Sequence, residues 1–229
     1  MKPRAAISWS GGKDSYLALH RSHSSYDVVA MITMFDEDGA RSRSHGLRPA
    51  LVEAQALCLG LTLCPGLASW ATYEDGYRRA LTDARVLGIT HVIFGDIMYE
   101  SNRVFPERVC AAEGLMAVEP LWGEPTTALY REFVATGADA RIVTIRDNVL
   151  DPSWLGRKLT LNLLDDIIGA GVDPCGEHGE YHTVVVDAPL FSSPINVVTL
   201  ESVCRDGCWA VDLALADHRP TVESHAERL

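Results

Sequence analysis

The chain has 229 residues, 47% of them hydrophobic and 22% charged, and a net charge of -11. That length suits one large domain or two small ones, and the composition is that of an ordinary globular protein with a sizeable core, not a disordered or fibrous one. The acidic balance argues against a broad basic face for gripping RNA or DNA, and so against nucleic acid as a partner.

The first apolar run, Ala5-Ala6-Ile7-Ser8-Trp9, leads directly into Ser10-Gly11-Gly12-Lys13-Asp14-Ser15, and apolar residues then return at helical spacing over Tyr16-Leu17-Ala18-Leu19-His20. This reads as strand, tight loop, helix. Adjacent glycines let consecutive N–H groups face one anion, and the helix start adds further N–H groups and the positive end of its dipole. Lys13 adds a mobile point charge on what reads as a loop outside the core, and Ser10 and Ser15 add hydroxyls. The implied chemistry is phosphate binding. Neither the Walker A spacing nor G-x-G-x-x-G is present.

Strands and helices then alternate. Asp27 to Phe35 is a nearly unbroken apolar run, expected for a strand buried on both faces of a parallel sheet. A polar loop to His45 precedes a helix over Arg48 to Leu59, stopped by Gly60. A short strand at Leu61 to Cys64, a helix over Tyr73 to Leu87 closed by Gly88, and a strand over His91 to Phe94 follow. That alternation predicts a doubly wound parallel sheet, with ligands at the carboxyl ends of its strands. Asp96 falls at such an end, suited to Mg²⁺ or a ribose hydroxyl and equally to a helix N-cap. His45 lies in the loop beyond the second strand, on the side where an adenine would rest.

The segment Glu119-Pro120-Leu121-Trp122-Gly123 reads as a boundary, dividing a domain that carries the phosphate-type loop (1–120) from a smaller α+β domain (121–218) and a polar tail (219–229). The second part holds a helix over Thr126 to Thr136, a strand over Ala140 to Asp147 and a helix over Arg157 to Ile168. Short β runs at Asn196 to Leu200 and Trp209 to Ala216 join in a hairpin around Arg205-Asp206-Gly207. Six cysteines form no C-x-x-C pair, and buried thiols in a reducing compartment account for them. The closest pair, Cys204 and Cys208, has a spacing that also suits a metal or a disulfide. No membrane-length apolar run and no signal-peptide core are present, so the expected address is the cytoplasm.

A second concentration of chemistry spans Cys175-Gly176-Glu177-His178-Gly179-Glu180-Tyr181-His182-Thr183, just ahead of the strand Val184-Val185-Val186. Its glycines argue against a helix and therefore against zinc on His178 and His182. Paired acids in a glycine turn fit a grip on a cationic group or an incoming amine, with Glu177 or Glu180 accepting a proton.

Taken in order, the S-G-G-K-D-S loop, Phe94-Gly95-Asp96-Ile97, Asn102-Arg103, Glu119-Pro120-Leu121-Trp122 and the 176–183 block resemble the diphthine–ammonia ligase family of ATP pyrophosphatases, within the PP-loop superfamily. The resemblance covers roughly residues 4 to 216. It implies an adenine-nucleotide α-hydrolase-like (HUP type) domain followed by a substrate domain. The implied activity is adenylation of the carboxylate of diphthine, a modified histidine on an elongation factor, and attack by ammonia to give the amide, AMP and pyrophosphate. It further implies ATP contacts from Ser8, Ser10, Gly11, Gly12, Lys13, Asp14, Ser15, His45, Gly95 and Asp96, with Mg²⁺ on Asp14 and Asp96. Catalysis would fall to Lys13, Asp14, Glu177 and Glu180, and acceptor binding to Asn102, Arg103, Glu177, His178, Gly179, Glu180, Tyr181 and His182. Residue 2 is Lys and not a nucleophilic Cys, which makes free ammonia the simpler nitrogen donor. A homodimer is compatible with all of this. Two other readings stay open: the same chemistry on a small-molecule carboxylate, and an adenine-nucleotide sensor without turnover.

Overall fold

The computed structural model describes residues 1–205 and 207–216. The tail expected from residue 219, and Asp206 at the tip of the expected hairpin, lie outside the described residues.

Arg4–Ser8 (β1) and Asp27–Phe35 (β2) are parallel neighbours joined by the helix Lys13–Ser22 (α1), which fixes the handed crossover on which the first half is built. The helix Pro49–Leu59 (α2) ends at Gly60, which adopts φ 67 and frees the chain to turn into Thr62–Leu67 (β3). Beyond it come Tyr73–Arg85 (α3), His91–Ile93 (β4), Glu100–Ala112 (α4) and Met116–Val118 (β5). The five strands order as β3-β2-β1-β4-β5, all parallel. Chain progression reverses at β1, so the carboxyl ends of β1 and β4 frame the crevice where such sheets hold ligands.

Alternate residues of each strand feed opposite faces. Ala6, Ala30, Ile32 and Val92 pack under α3 and α4 with Tyr77, Leu81 and Val109. Ala5, Ile7, Met31 and Ile93 meet α1 and α2 and then continue into a core built by the second half of the chain. That half contains Thr126–Ala135 (α5), Asp139–Arg146 (β6), Leu161–Gly169 (α6), Tyr181–Asp187 (β7), Val197–Arg205 (β8) and Cys208–Leu215 (β9). Its strands form an antiparallel sheet ordered β7-β6-β9-β8. Among the described residues no helix is long and apolar enough to cross a membrane.

Two sequence expectations needed correction, and one helix was not anticipated. Residues 100–103 form the first turn of α4, whose Pro106 removes one backbone donor and masked its periodicity. The helix expected from Arg157 starts at Leu161, because the Thr160 hydroxyl caps Leu163 N while residues 157–159 run extended alongside β6. Strand β7 starts at Tyr181, three residues early, and so carries the end of the 175–183 block into the sheet.

Candidate active site

The phosphate-type loop is folded by the second sheet. Gly11 takes φ 91, a conformation open to glycine, and its carbonyl accepts from Val185 N at 2.9 Å. Gln55, fully buried, accepts from Trp9 Nε1 at 2.8 Å and donates to both Gly11 O and Val185 O. The first turn of α1 has no side-chain cap; Lys13 N donates to Thr183 Oγ1 at 3.0 Å. Gly95 lets the end of β4 touch that turn, since a Cβ there would lie 2.8 Å from Asp14 C and 2.9 Å from Ser15 N.

Lys13 is not the mobile loop charge expected from sequence. It opens α1, is 3% exposed, bonds Asp14 Oδ2 at 2.9 Å and donates to the Cys175 carbonyl. Burial alone would depress its pKa, but the Asp14 carboxylate beside it, with smaller help from Tyr181 and Cys175, raises it, so the ammonium is held charged.

Asp173 and Glu180 build the turn of the second block. Asp173 accepts from Cys175 N, Glu177 N and Thr126 Oγ1. Glu180, 6% exposed, accepts from Asp173 N at 3.2 Å and His178 N at 2.9 Å. Both its oxygens are thus committed to backbone donors, which makes Glu180 a turn-former, whereas Glu177 lines the cleft.

A cleft of about 530 Å³ opens over these elements. Of the residues singled out from sequence, Ser8, Ser10, Lys13, Asp14, Ser15, His45, Gly95, Asp96, Asn102, Glu177, Gly179, Tyr181 and His182 line it. Gly11 and Gly12 are buried and do not line it. Arg103 points away, paired with Glu107 at 3.1 Å and facing the Trp122 ring. His178 sits outside the cleft lining, bonded through Nδ1 to the Tyr99 hydroxyl.

Electrostatically the cleft crowds three carboxylates around one lysine. Burial, reinforced by Asp14, pushes Asp96 up to about 6 and Glu177 up to about 7. Desolvation also raises Asp14 against the pull of Lys13. These carboxylates repel one another and lack enough positive charge. The imidazoles are the opposite: burial, then the neighbouring His182, drives His45 well down, and burial, then Lys13, takes His182 to about 4. The two rings stand 4.8 Å apart, and His45 Nδ1 meets Thr183 O at 2.7 Å, packing the His45 ring on Gly12. Both rings are neutral hydrogen-bonding surfaces near pH 7.

Sequence reasoning missed one wall. Trp70, Tyr73, Tyr77, Phe94 and Phe105 line the cleft, with Trp70 stacked on Tyr73 at 5.7 Å and covered by Arg43 at 4.2 Å. The signal present in the chain was an indole directly after β3, at the carboxyl edge of a parallel sheet.

Residues 3–117 match the family model described as the diphthamide synthase N-terminal domain, and residues 125–215 match the C-terminal domain of the same synthase. The chain belongs to the diphthamide synthase family. A diphthine–ammonia ligase from Rattus norvegicus is 30% identical over 87% of this chain and 85% of its own length. The Danio rerio ligase is 28% identical, over 85% of this chain and 86% of its own. A Schizosaccharomyces pombe ligase is 30% identical over 85% of this chain, which spans only 36% of that longer protein. Within this family the two motif regions read from sequence fall in separate domain matches, and the fold brings both to one cleft.

Proposed function

We propose that this chain is an AMP-forming ligase that activates a carboxylate with ATP and couples it to ammonia, with diphthine on a translation elongation factor as the acceptor. The reading is carried by one observation: the glycine loop at residues 10–15 and the acidic turn at 175–183 line the same cleft, joined through Lys13.

In this reading the first turn of α1, with Ser10, Ser15 and the charged Lys13, holds the departing pyrophosphate, countering negative charge that grows as the acyl adenylate forms. Asp14 and Asp96 suit Mg²⁺, which takes one or two carboxylates and completes its shell with phosphates and water. When bound, the ion neutralises phosphate charge. The aromatic wall from Trp70 to Phe105 supplies a stacking face for the base. Glu177, poised near neutrality, attracts ammonium as a carboxylate and takes one proton from it, freeing the ammonia that attacks the acyl carbon; the adduct sheds its second proton to solvent as it collapses. The C–N bond forms, the acyl–phosphate bond breaks and AMP leaves.

The test is pyrophosphate and AMP release from ATP with ammonium, in the presence of diphthine-bearing elongation factor or a panel of small carboxylates. Amide formation only on the factor supports the reading. Turnover restricted to a small acid overturns the acceptor, and ATP binding without turnover under every condition overturns the ligase.

A further inference from the structure

Gln55, in the middle of α2, is the most completely buried polar side chain among the described residues, and no step of the proposed reaction uses it. Trp9 Nε1, which can only donate, gives its hydrogen to Gln55 Oε1 at 2.8 Å, and this fixes which way the amide lies. Nε2 therefore faces two carbonyls, Gly11 O at 3.1 Å and Val185 O at 2.8 Å. A buried amide is costly unless its groups are paired, and here the carbonyl and the amino group both have partners. One side chain thus ties α2 to the cleft-lining Trp9, to the 10–15 loop and to β7.

The peptide between Gly11 and Gly12 is the only one in that loop with glycine on both sides. Turning it over changes ψ of Gly11 and φ of Gly12, and glycine accepts either sign of φ, so sterics alone do not choose the orientation. An anion does distinguish the two. In a trans peptide the carbonyl and the following N–H point opposite ways. Gly11 O is drawn to Gln55 Nε2 and to Val185 N, the latter at 2.9 Å, and the Gly12 N–H is accordingly turned toward Ser10 Oγ at 3.4 Å, a hydroxyl of the cleft wall. Flipped, the peptide would present the negative end of its dipole on the side of that hydroxyl. We propose that Gln55 is a positioning residue for phosphate binding, holding the Gly11–Gly12 peptide with its N–H toward Ser10 and its carbonyl away from the bound pyrophosphate. It acts through the loop and touches no substrate. The inference rests on the phosphate-binding part of the reading above.

Two probes titrated into the full chain separate this role from a purely structural one: magnesium pyrophosphate, and adenosine, which carries no phosphate. In Gln55→Met, close in volume but without the N–H donors, calorimetry should show pyrophosphate affinity lower by about tenfold, the equivalent of one buried hydrogen bond, and adenosine affinity within about twofold of wild type. Gln55→Glu keeps the acceptor for Trp9 Nε1 but offers at most one donor to two carbonyls, and should weaken pyrophosphate binding in the same selective way. Equal weakening of both probes overturns the positioning role in favour of general packing, and a folded Gln55→Met with unchanged pyrophosphate affinity overturns it outright. Should neither variant fold, NMR of the wild type decides: the Gly12 amide signal should move on adding magnesium pyrophosphate and stay in place with adenosine, and a signal indifferent to pyrophosphate refutes the orientation. A wild type that binds pyrophosphate but never amidates overturns the ligase and leaves the Gln55 role standing; one that binds neither pyrophosphate nor ATP overturns the loop reading and that role with it.

Discussion

Replacing Lys13 by Met keeps most of the side-chain volume but removes the charge, and the surroundings of that charge determine the size of the effect. Lys13 is 4% exposed at its side chain and Asp14 25%, so the pair lies between a dry ion pair and a surface one. Breaking a fully buried pair costs about 3–5 kcal/mol because the survivor is left unpaired; the partial hydration of Asp14 reduces that to about 1–3 kcal/mol here. For a chain of this size that corresponds to a melting temperature lower by roughly 2–10 °C. Adding Asp14→Asn removes the orphaned charge, so the double variant should recover about 1–2 kcal/mol relative to Lys13→Met. Pyrophosphate release should fall by about 10²–10³ in Lys13→Met and stay low in the double variant, since stability is restored and the phosphate-facing charge is not. Urea denaturation of the four proteins in the cycle, with pyrophosphate assays on each, measures both. A Lys13→Met variant with wild-type stability, or a double variant that regains turnover, would refute the reasoning.

Gly95→Ala should destabilise by about 1–3 kcal/mol and raise the KM for ATP, because every atom its Cβ meets is backbone of the α1 turn; unchanged melting and ATP kinetics together would count against that packing. Glu177→Gln should abolish most amidation yet stabilise the fold by about 1–3 kcal/mol at pH 8, seen as a higher urea midpoint. The sign comes from a folded-state pKa of about 7 against an ordinary glutamate value of 4.5: wild-type stability drains away as pH rises from that lower value through 7, and the amide escapes the loss. Asp212, although partly buried, is held well below the carboxylate range by Arg48 and Arg41, whose forks reach it at 3.0 and 2.6 Å. Its contribution is full above about pH 4 and is lost as pH falls below that; Asp212→Asn should cost about 1–2 kcal/mol at pH 7, discounted for the 37% exposure of both arginines, and flatten the acid limb.

The alternation of strand and helix, and with it the placing of the first loop and Gly95 at one edge of the sheet, were legible because a buried parallel strand such as Asp27–Phe35 announces itself as a continuous apolar run. Helix α4 was not, since Pro106 and a polar first turn erase the period that signals a helix. Glu177 and Glu180 look alike in sequence, and only the turn geometry separates the carboxylate that faces the cleft from the one that satisfies backbone donors. Lys13 likewise reads as a loop charge until Cys175, far along the chain, is seen to accept from it. Non-local partners of this kind leave no periodic trace.

Those non-local bonds also reach the chemistry. Gly11 O, Lys13 N and Lys13 Nζ are all held by residues of the second block or of β7, namely Val185, Thr183 and Cys175. The 10–15 loop therefore has no complete hydrogen-bonded shape without the 175–183 turn, and on the proposed reading ATP affinity depends on that turn's integrity. Thr183→Val, which removes the acceptor for Lys13 N at nearly constant volume, should accordingly raise the KM for ATP by roughly five- to thirtyfold, the equivalent of leaving one buried donor unpaired at about 1–2 kcal/mol. An unchanged KM for ATP with impaired acceptor use would show that the two halves act separately and that the bond merely joins them.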